Sequence, residues 1–252
     1  MGLLVGCATD EKDKTAGMKP EEIYAEAKDN MRGNLYDKAI VLLDKLEGRA
    51  AGTPLAQQAQ LDKAYAHYKN GDRANAIVTL DRFMKLNPAS PAMDYAMYLK
   101  GTINFNDDLG IMSKWFKQDL AERDQMAARE SFEAYKELVT RFPESKYAED
   151  ASLRMRHIIN LLAKSEIKVA YYYFKKGAYV AAINRAQTTL NDYQNIAAIE
   201  DALIILVESY KALGLTQLQE DTTRVLQQSY PDSKYFPKPG KPATTNWFKF
   251  WE

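Results

Sequence analysis

Few residues in this 252-residue chain have the type and spacing that chemistry needs. The two histidines, His67 and His157, fall on separate predicted helices with no HExxH-like spacing, so they do not predict a metal site. Acidic pairs such as Asp107-Asp108 and Glu149-Asp150 suit solvated helix faces. Sugar cleavage would require a carboxylic acid in a dry pocket, and no position is singled out for that. No GxSxG, Walker A or dinucleotide fingerprint occurs. The sequence therefore singles out no catalytic, metal or cofactor residue. The single cysteine, Cys7, excludes an internal disulfide framework, and its place near the N-terminus matters more than its number.

Leu4-Val5-Gly6-Cys7 resembles the lipobox of bacterial lipoprotein precursors, in which small residues admit a signal peptidase and the thiol then carries diacylglycerol. The competing reading is a chance LVGC. Met1 to Gly6 is shorter than the apolar region of roughly 7–15 residues that a signal needs, so the true start is expected upstream and residues 1–6 are read as a remnant. Acyl chains at roughly 0.8 kcal/mol per buried methylene would hold the protein on a membrane. Ala8, rather than Asp, follows the cysteine, which by resemblance to lipoprotein sorting points to the periplasmic face of the outer membrane. Residues 7–19 read as a flexible, lipidated tether.

With no catalytic group singled out, a surface is the better candidate, and the elements that build it come next. Residues 64–88 set the register. Tyr65 and Tyr68 precede Gly71-Asp72, and Ala76, Leu80 and Phe83 follow at helical spacing. Ala76 is small enough for two helices to cross, Gly71 suits a left-handed helix end, and Pro88 stops the second helix. This order resembles a tetratricopeptide repeat. Gly33 precedes Gly71, and Gly177 precedes Gly214, by slightly more than the roughly 34 residues of that repeat. The expected fold is all-α: a right-handed superhelix of about five such hairpins. Composition agrees, with 16 tyrosines against 12 glycines and 9 prolines and no sustained period-two pattern. Lys+Arg and Asp+Glu both total 34, so no global charge favours nucleic acid.

In order, repeats 1–3 occupy residues 20–143 as an N-terminal half, with Pro20 at a helix start. The third repeat is interrupted by an insertion, 106–125, containing Trp115-Phe116; it is expected to fold back onto the hairpins. Its second helix is expected from Met126. Repeats 4 and 5 occupy residues 144–235. They open with a linking stretch, 144–176, that lacks Gly and Pro and reads as one helix of about 30 residues or as two bending near Lys164-Ser165. Residues 236–252 form a proline-rich, aromatic tail. Its Trp247, Phe248, Phe250 and Trp251 either cap the last helix or form a motif for a partner or the lipid interface.

Tyr24, Leu61, Tyr65, Tyr68 and Tyr95 are expected on first helices of hairpins, where they line a concave groove for an extended peptide or pack between helices.

The ordered set of features resembles the BamD (ComL) family of outer-membrane assembly lipoproteins. The likeness rests on Pro20-Glu21-Glu22-Ile23-Tyr24-Ala25, Asp81-Arg82-Phe83-Met84-Lys85-Leu86-Asn87-Pro88, Asp94-Tyr95-Ala96-Met97-Tyr98, Glu122-Arg123-Asp124, Leu162-Ala163-Lys164, Gly177-Ala178-Tyr179-Val180-Ala181 and Ile183-Asn184-Arg185, and it spans residues 7–235. Gln194, where the pattern has proline, and the tail depart from it. The resemblance implies a non-enzymatic adaptor of the machine that assembles β-barrel proteins into the outer membrane. Its N-terminal half would receive unfolded barrel precursors or companion small lipoproteins, and its C-terminal half would hold the periplasmic domains of the barrel subunit. Arg185, Asp192 and Tyr193 are the expected contact there, since an arginine fork reads carboxylates bidentately; Arg185 could equally form a surface ion pair. Alternative occupations for the same architecture are a secretin pilotin or a cell-division coordinator.

Overall fold

A computed structural model describes residues 15–105, 122–193 and 196–236. Cys7, Gln194, the tail aromatics Trp247, Phe248, Phe250 and Trp251, and residues 106–121 of the insertion lie outside them. Among the described residues there are ten α-helices and no strand, in two compact units, 1–104 and 105–252.

The first unit contains α1 (Pro20–Arg32), α2 (Tyr36–Arg49), α3 (Pro54–Lys69), α4 (Arg73–Leu86) and α5 (Met93–Asn104). Its helix starts are written in local chemistry. Pro20 and Pro54 occupy first-turn positions where no backbone donor is lost. Glu22 accepts the Lys19 N–H at 2.8 Å, the Thr53 hydroxyl accepts from Ala56 N at 3.2 Å, and the Asp72 carboxylate accepts from Asn75 N at 3.1 Å. Gly71 takes the expected left-handed conformation with φ 85°. At the first turn that conformation falls to Asn34, φ 57°, rather than to Gly33.

Each helix of this unit packs on the next, and α3 also meets α5. Ile23, Leu43 and Leu46 close one core cluster between α1 and α2; Leu61, Leu80, Phe83, Leu99 and Ile103 close a second among α3, α4 and α5. Ala76 has no exposed surface, as a close helix crossing demands.

The second unit contains α6 (Glu122–Arg141), α7 (Ala148–Lys175), α8 (Tyr179–Asp192), α9 (Ala198–Ala212) and α10 (Thr216–Ser229). Residues 144–176 were readable as one helix or two; α7 is one helix of 28 residues, about 42 Å at 1.5 Å per residue. It packs against α6, α8 and α9, burying Ile158, Leu162, Ile167 and Ala170. Gly177 and Gly214 repeat the left-handed turn at φ 74° and 69°.

Two expectations need revision. The helix expected from Met126 begins at Glu122, so the end of the 106–125 segment is helical and not insertion. The boundary expected at 143/144 would group α6 with the first three repeats, whereas α6 packs on α7 inside the second unit. Its buried Ala128, Tyr135 and Leu138 are apolar at helical spacing and carry no signal of which neighbour they will meet. No described helix is long and apolar enough to cross a membrane.

Candidate functional site

In the first unit, the tyrosines expected to line a groove lie on α1, α3 and α5. Tyr65, Tyr68 and Tyr95 are half-buried, their rings lying over the cluster that contains Leu80 and Phe83. Tyr24 lies over the neighbouring cluster, and its hydroxyl donates to Asp62 Oδ2 of α3 at 2.8 Å. Lys28 Nζ reaches the same oxygen at 3.1 Å. Burial pushes the Tyr24 phenol above its ordinary range, and the hydrogen bond to Asp62 and that carboxylate's charge push it further, so Tyr24 is a neutral donor at physiological pH. Leu61, expected on the groove wall, is only 2% exposed and belongs to the core. It faces α4 and α5 as an apolar filler, and offers no surface to a peptide.

A polar network that sequence reasoning passed over joins α3 to α2 and α4. Lys63, buried in α3, donates from Nζ to Glu47 Oε2 at 2.6 Å and to Asp44 Oδ1 at 3.0 Å, both on α2. Gln60 Nε2 donates to Glu47 Oε1 at 2.8 Å, and the Arg82 guanidinium of α4 reaches that oxygen at 3.0 Å. Burial alone would raise the Glu47 carboxyl, but hydrogen bonds from Lys63 and Gln60 and the charges of Lys63 and Arg82 outweigh it and hold the group below the usual carboxylate range. Asp44, Glu47, Gln60 and Arg82 edge an open depression of about 540 Å³ beside Thr53 and Asn87. The legible signal was Asp62-Lys63 in a helix packed on both sides, with Asp44 and Glu47 on the helix before it.

In the second unit, a carboxylate is buried between two arginines. Glu166 of α7 is 7% exposed; Arg185 Nη1 of α8 donates to its Oε2 at 3.2 Å, and Arg129 Nη2 of α6 stands 4.0 Å from its Oε1. Arg129 also donates to the Tyr193 hydroxyl at 3.2 Å. Both arginines remain about half exposed around the hidden carboxylate, and the exposed Asp192 adds a second negative charge beside Tyr193. Burial raises the Tyr193 phenol, with Arg129 opposing and Glu166 adding to the shift. Of the three residues expected to form a contact here, Arg185 and Asp192 are exposed. Tyr193 is buried and props Arg129 from within instead of projecting from a loop. Glu166 itself was visible as the one charged residue in the apolar stripe of Leu162, Ala163, Ile167 and Ala170.

At the end of the described chain, α9 and α10 hold Tyr230, Tyr235 and Phe236 against Leu203, Ile204 and Leu226. Tyr235 donates to Glu208 Oε1 at 2.6 Å.

The family described as YfiO, outer membrane lipoprotein, matches residues 16–226. The chain is 42% identical over 253 aligned positions to the outer membrane protein assembly factor BamD of Neisseria meningitidis serogroup B, covering 98% of this chain and 95% of that protein. It is 35% identical to the protein of the same name from Vibrio cholerae, over 90% of this chain and 94% of that one. The corresponding Xylella fastidiosa protein is 33% identical over 91% of this chain and 79% of its own length.

Proposed function

The chain belongs to the YfiO/BamD family of outer membrane lipoproteins, and from that membership we propose that it works as a non-enzymatic adaptor in the assembly of β-barrel proteins into the outer membrane. The observation that carries this reading is the near-full-length identity to an outer membrane protein assembly factor, which takes in both units and every helix described above. An adaptor needs rigid, differently charged faces in place of a reactive centre. Helical hairpins stacked in sequence supply such faces, because each buries its apolar stripe on the next and leaves its outer side for a guest.

In this reading Cys7 carries the lipid that holds the protein on the periplasmic face of the outer membrane. The tyrosine face of the first unit, Tyr24, Tyr65, Tyr68 and Tyr95, receives extended segments of unfolded barrel precursors or a companion lipoprotein. Tyrosine combines apolar area with a hydroxyl at low entropic cost, and those rings are already held against the core. Arg185, with Asp192, grips the periplasmic domains of the barrel subunit: about half of its side chain stays exposed while Glu166 holds one end of its guanidinium group. The tail aromatics Trp247, Phe248, Phe250 and Trp251 dock on a partner or the lipid interface.

Affinity purification of the full chain from detergent-extracted membranes tests the proposal. A large barrel subunit should co-purify with small lipoproteins; a secretin ring in their place would overturn it. For the tyrosine face, Tyr65→Ala combined with Tyr68→Ala should weaken binding of barrel-derived peptides about tenfold or more. Unchanged affinity would remove that site while leaving the adaptor role intact.

A further inference from the structure

The last described helix, α10, departs from the pattern of α2, α4 and α8. Each of the four follows a turn with one left-handed residue: Asn34, Gly71, Gly177 and Gly214. The fifth residue after it is a fully buried alanine in the other three, Ala39, Ala76 and Ala182, but in α10 it is Gln219. The fourth and eleventh are Lys38 and Lys45, Asn75 and Arg82, and Ala181 and Thr188; in α10 they are Leu218 and Val225. Two turns apart, Leu218 and Val225 share one side of the helix. Leu215 caps its start, and Leu213 ends α9 just before it. All four apolar residues keep 39–48% of their surface exposed. Single exposed leucines are ordinary. A run of them at the end of a stacked array, where a polar outer face keeps the array soluble, is not.

The chain itself supplies a cover. It continues past Phe236 for 16 residues, of which the last six hold Trp247, Phe248, Phe250 and Trp251. The root of this tail is fixed, because Phe236 packs against the cluster of Leu203, Ile204 and Leu226. From the level of Leu226 back to Leu215 is about 17 Å along a helix. The proline-rich residues 237–246 span about 31 Å when extended at about 3.1 Å each, so Trp247 reaches the Leu215 end with slack. A tether of that length holds the aromatic segment near α10 at an effective concentration on the order of millimolar. Large rings, each able to bury about 150–250 Å², match an apolar face better than they match water.

We propose that residues 247–252 fold back on α10 and cover Leu215, Leu218 and Val225. The tail then rests on its own chain, and its docking on a partner or the lipid interface requires it to leave that seat.

The test is tryptophan fluorescence of the full chain carrying Trp115→Phe, so that Trp247 and Trp251 alone give the signal. Acrylamide should quench them at least about twofold less than it quenches free N-acetyltryptophanamide. Two triple variants follow on that background: Leu215→Gln/Leu218→Gln/Val225→Gln on the proposed seat, and Val41→Gln/Val78→Gln/Leu86→Gln on exposed positions of the first unit. Circular dichroism establishes that each is folded, and Leu218→Gln alone serves if the first triple is not. The α10 triple should raise quenching by about twofold or more, the single change by less, and the distant triple should leave it unaltered. Equal rises from the two triples would overturn the proposal, as would tail tryptophans as accessible as the free compound. Protection lost on dilution would overturn it by assigning the seat to a second copy. Protection gained only when phosphatidylglycerol vesicles are added would assign the tail to the membrane. The adaptor role rests on co-purification and stands apart from each of these results.

Discussion

Arg185 Nη1 lies 3.2 Å from Glu166 Oε2, joining α8 to a carboxylate that α7 has carried into the interior. The pair is asymmetric: the acid is 7% exposed and the base about half exposed, so removing the acid strands two arginines, whereas removing the base leaves Glu166 with Arg129. Glu166→Gln should therefore destabilise the protein by about 1–2 kcal/mol, below the full cost of breaking a buried pair because water still reaches both guanidinium groups. Arg185→Ala should cost less than that, about 1 kcal/mol or under. Urea denaturation followed by circular dichroism checks the order.

Asp201 supplies a pH dependence of known sign. Burial first, and the charge of Glu200 second, push its carboxyl up to about 6, with Lys164 opposing. The folded state therefore holds a proton between about pH 4 and 6 that the unfolded state has released, and stability falls as pH rises through that window. Asp201→Asn should be more stable than the wild type at pH 7.5 by about 1 kcal/mol, and the difference should close as pH drops to about 4. Thermal melts of both proteins across that range measure it.

Glu47 titrates with the opposite sign. Its lowered carboxyl contributes stability that is present above the unfolded value and lost as pH falls through the folded one. Glu47→Gln should cost about 1–2 kcal/mol at pH 7, since Lys63 then keeps only Asp44, and the penalty should shrink below pH 4.5. A pH series of urea midpoints reads both effects.

Ala76 tests the helix crossing. It is fully buried between α3 and α4, and Ala76→Leu should destabilise by about 1–3 kcal/mol through overpacking, whereas exposed Ala74→Leu on the same helix should be nearly neutral. Equal effects would show that the crossing has room to spare.

What could be read from the sequence follows a physical division. Hairpin positions were legible because they depend on local chemistry: Pro20 at a helix start, and Gly71, Gly177 and Gly214 at the turns. The continuity of α7 was half legible, since the absence of Gly and Pro permits a long helix without requiring one. Partner choice was not legible. The buried Tyr135 and Leu138 of α6 do not announce that this helix packs on α7. Tyrosines at helical spacing look the same whether they lie over a core, like Tyr65 and Tyr68, or inside an ion cluster, like Tyr193. The outcome at Leu61 and Tyr193 depends on neighbours many residues away.

The unbroken run of α7 gives the second unit a shared spine. Helices α6, α8 and α9 each lean on it, so none of them can come away without exposing apolar side chains of the same element. In the first unit contacts pass mostly from neighbour to neighbour, and its outermost pair can fray while the rest persists. Deuterium uptake should separate the two behaviours: amides near Ile158 to Ala170 should be released only when the whole second unit opens, whereas those of α1 should exchange earlier and with little denaturant dependence.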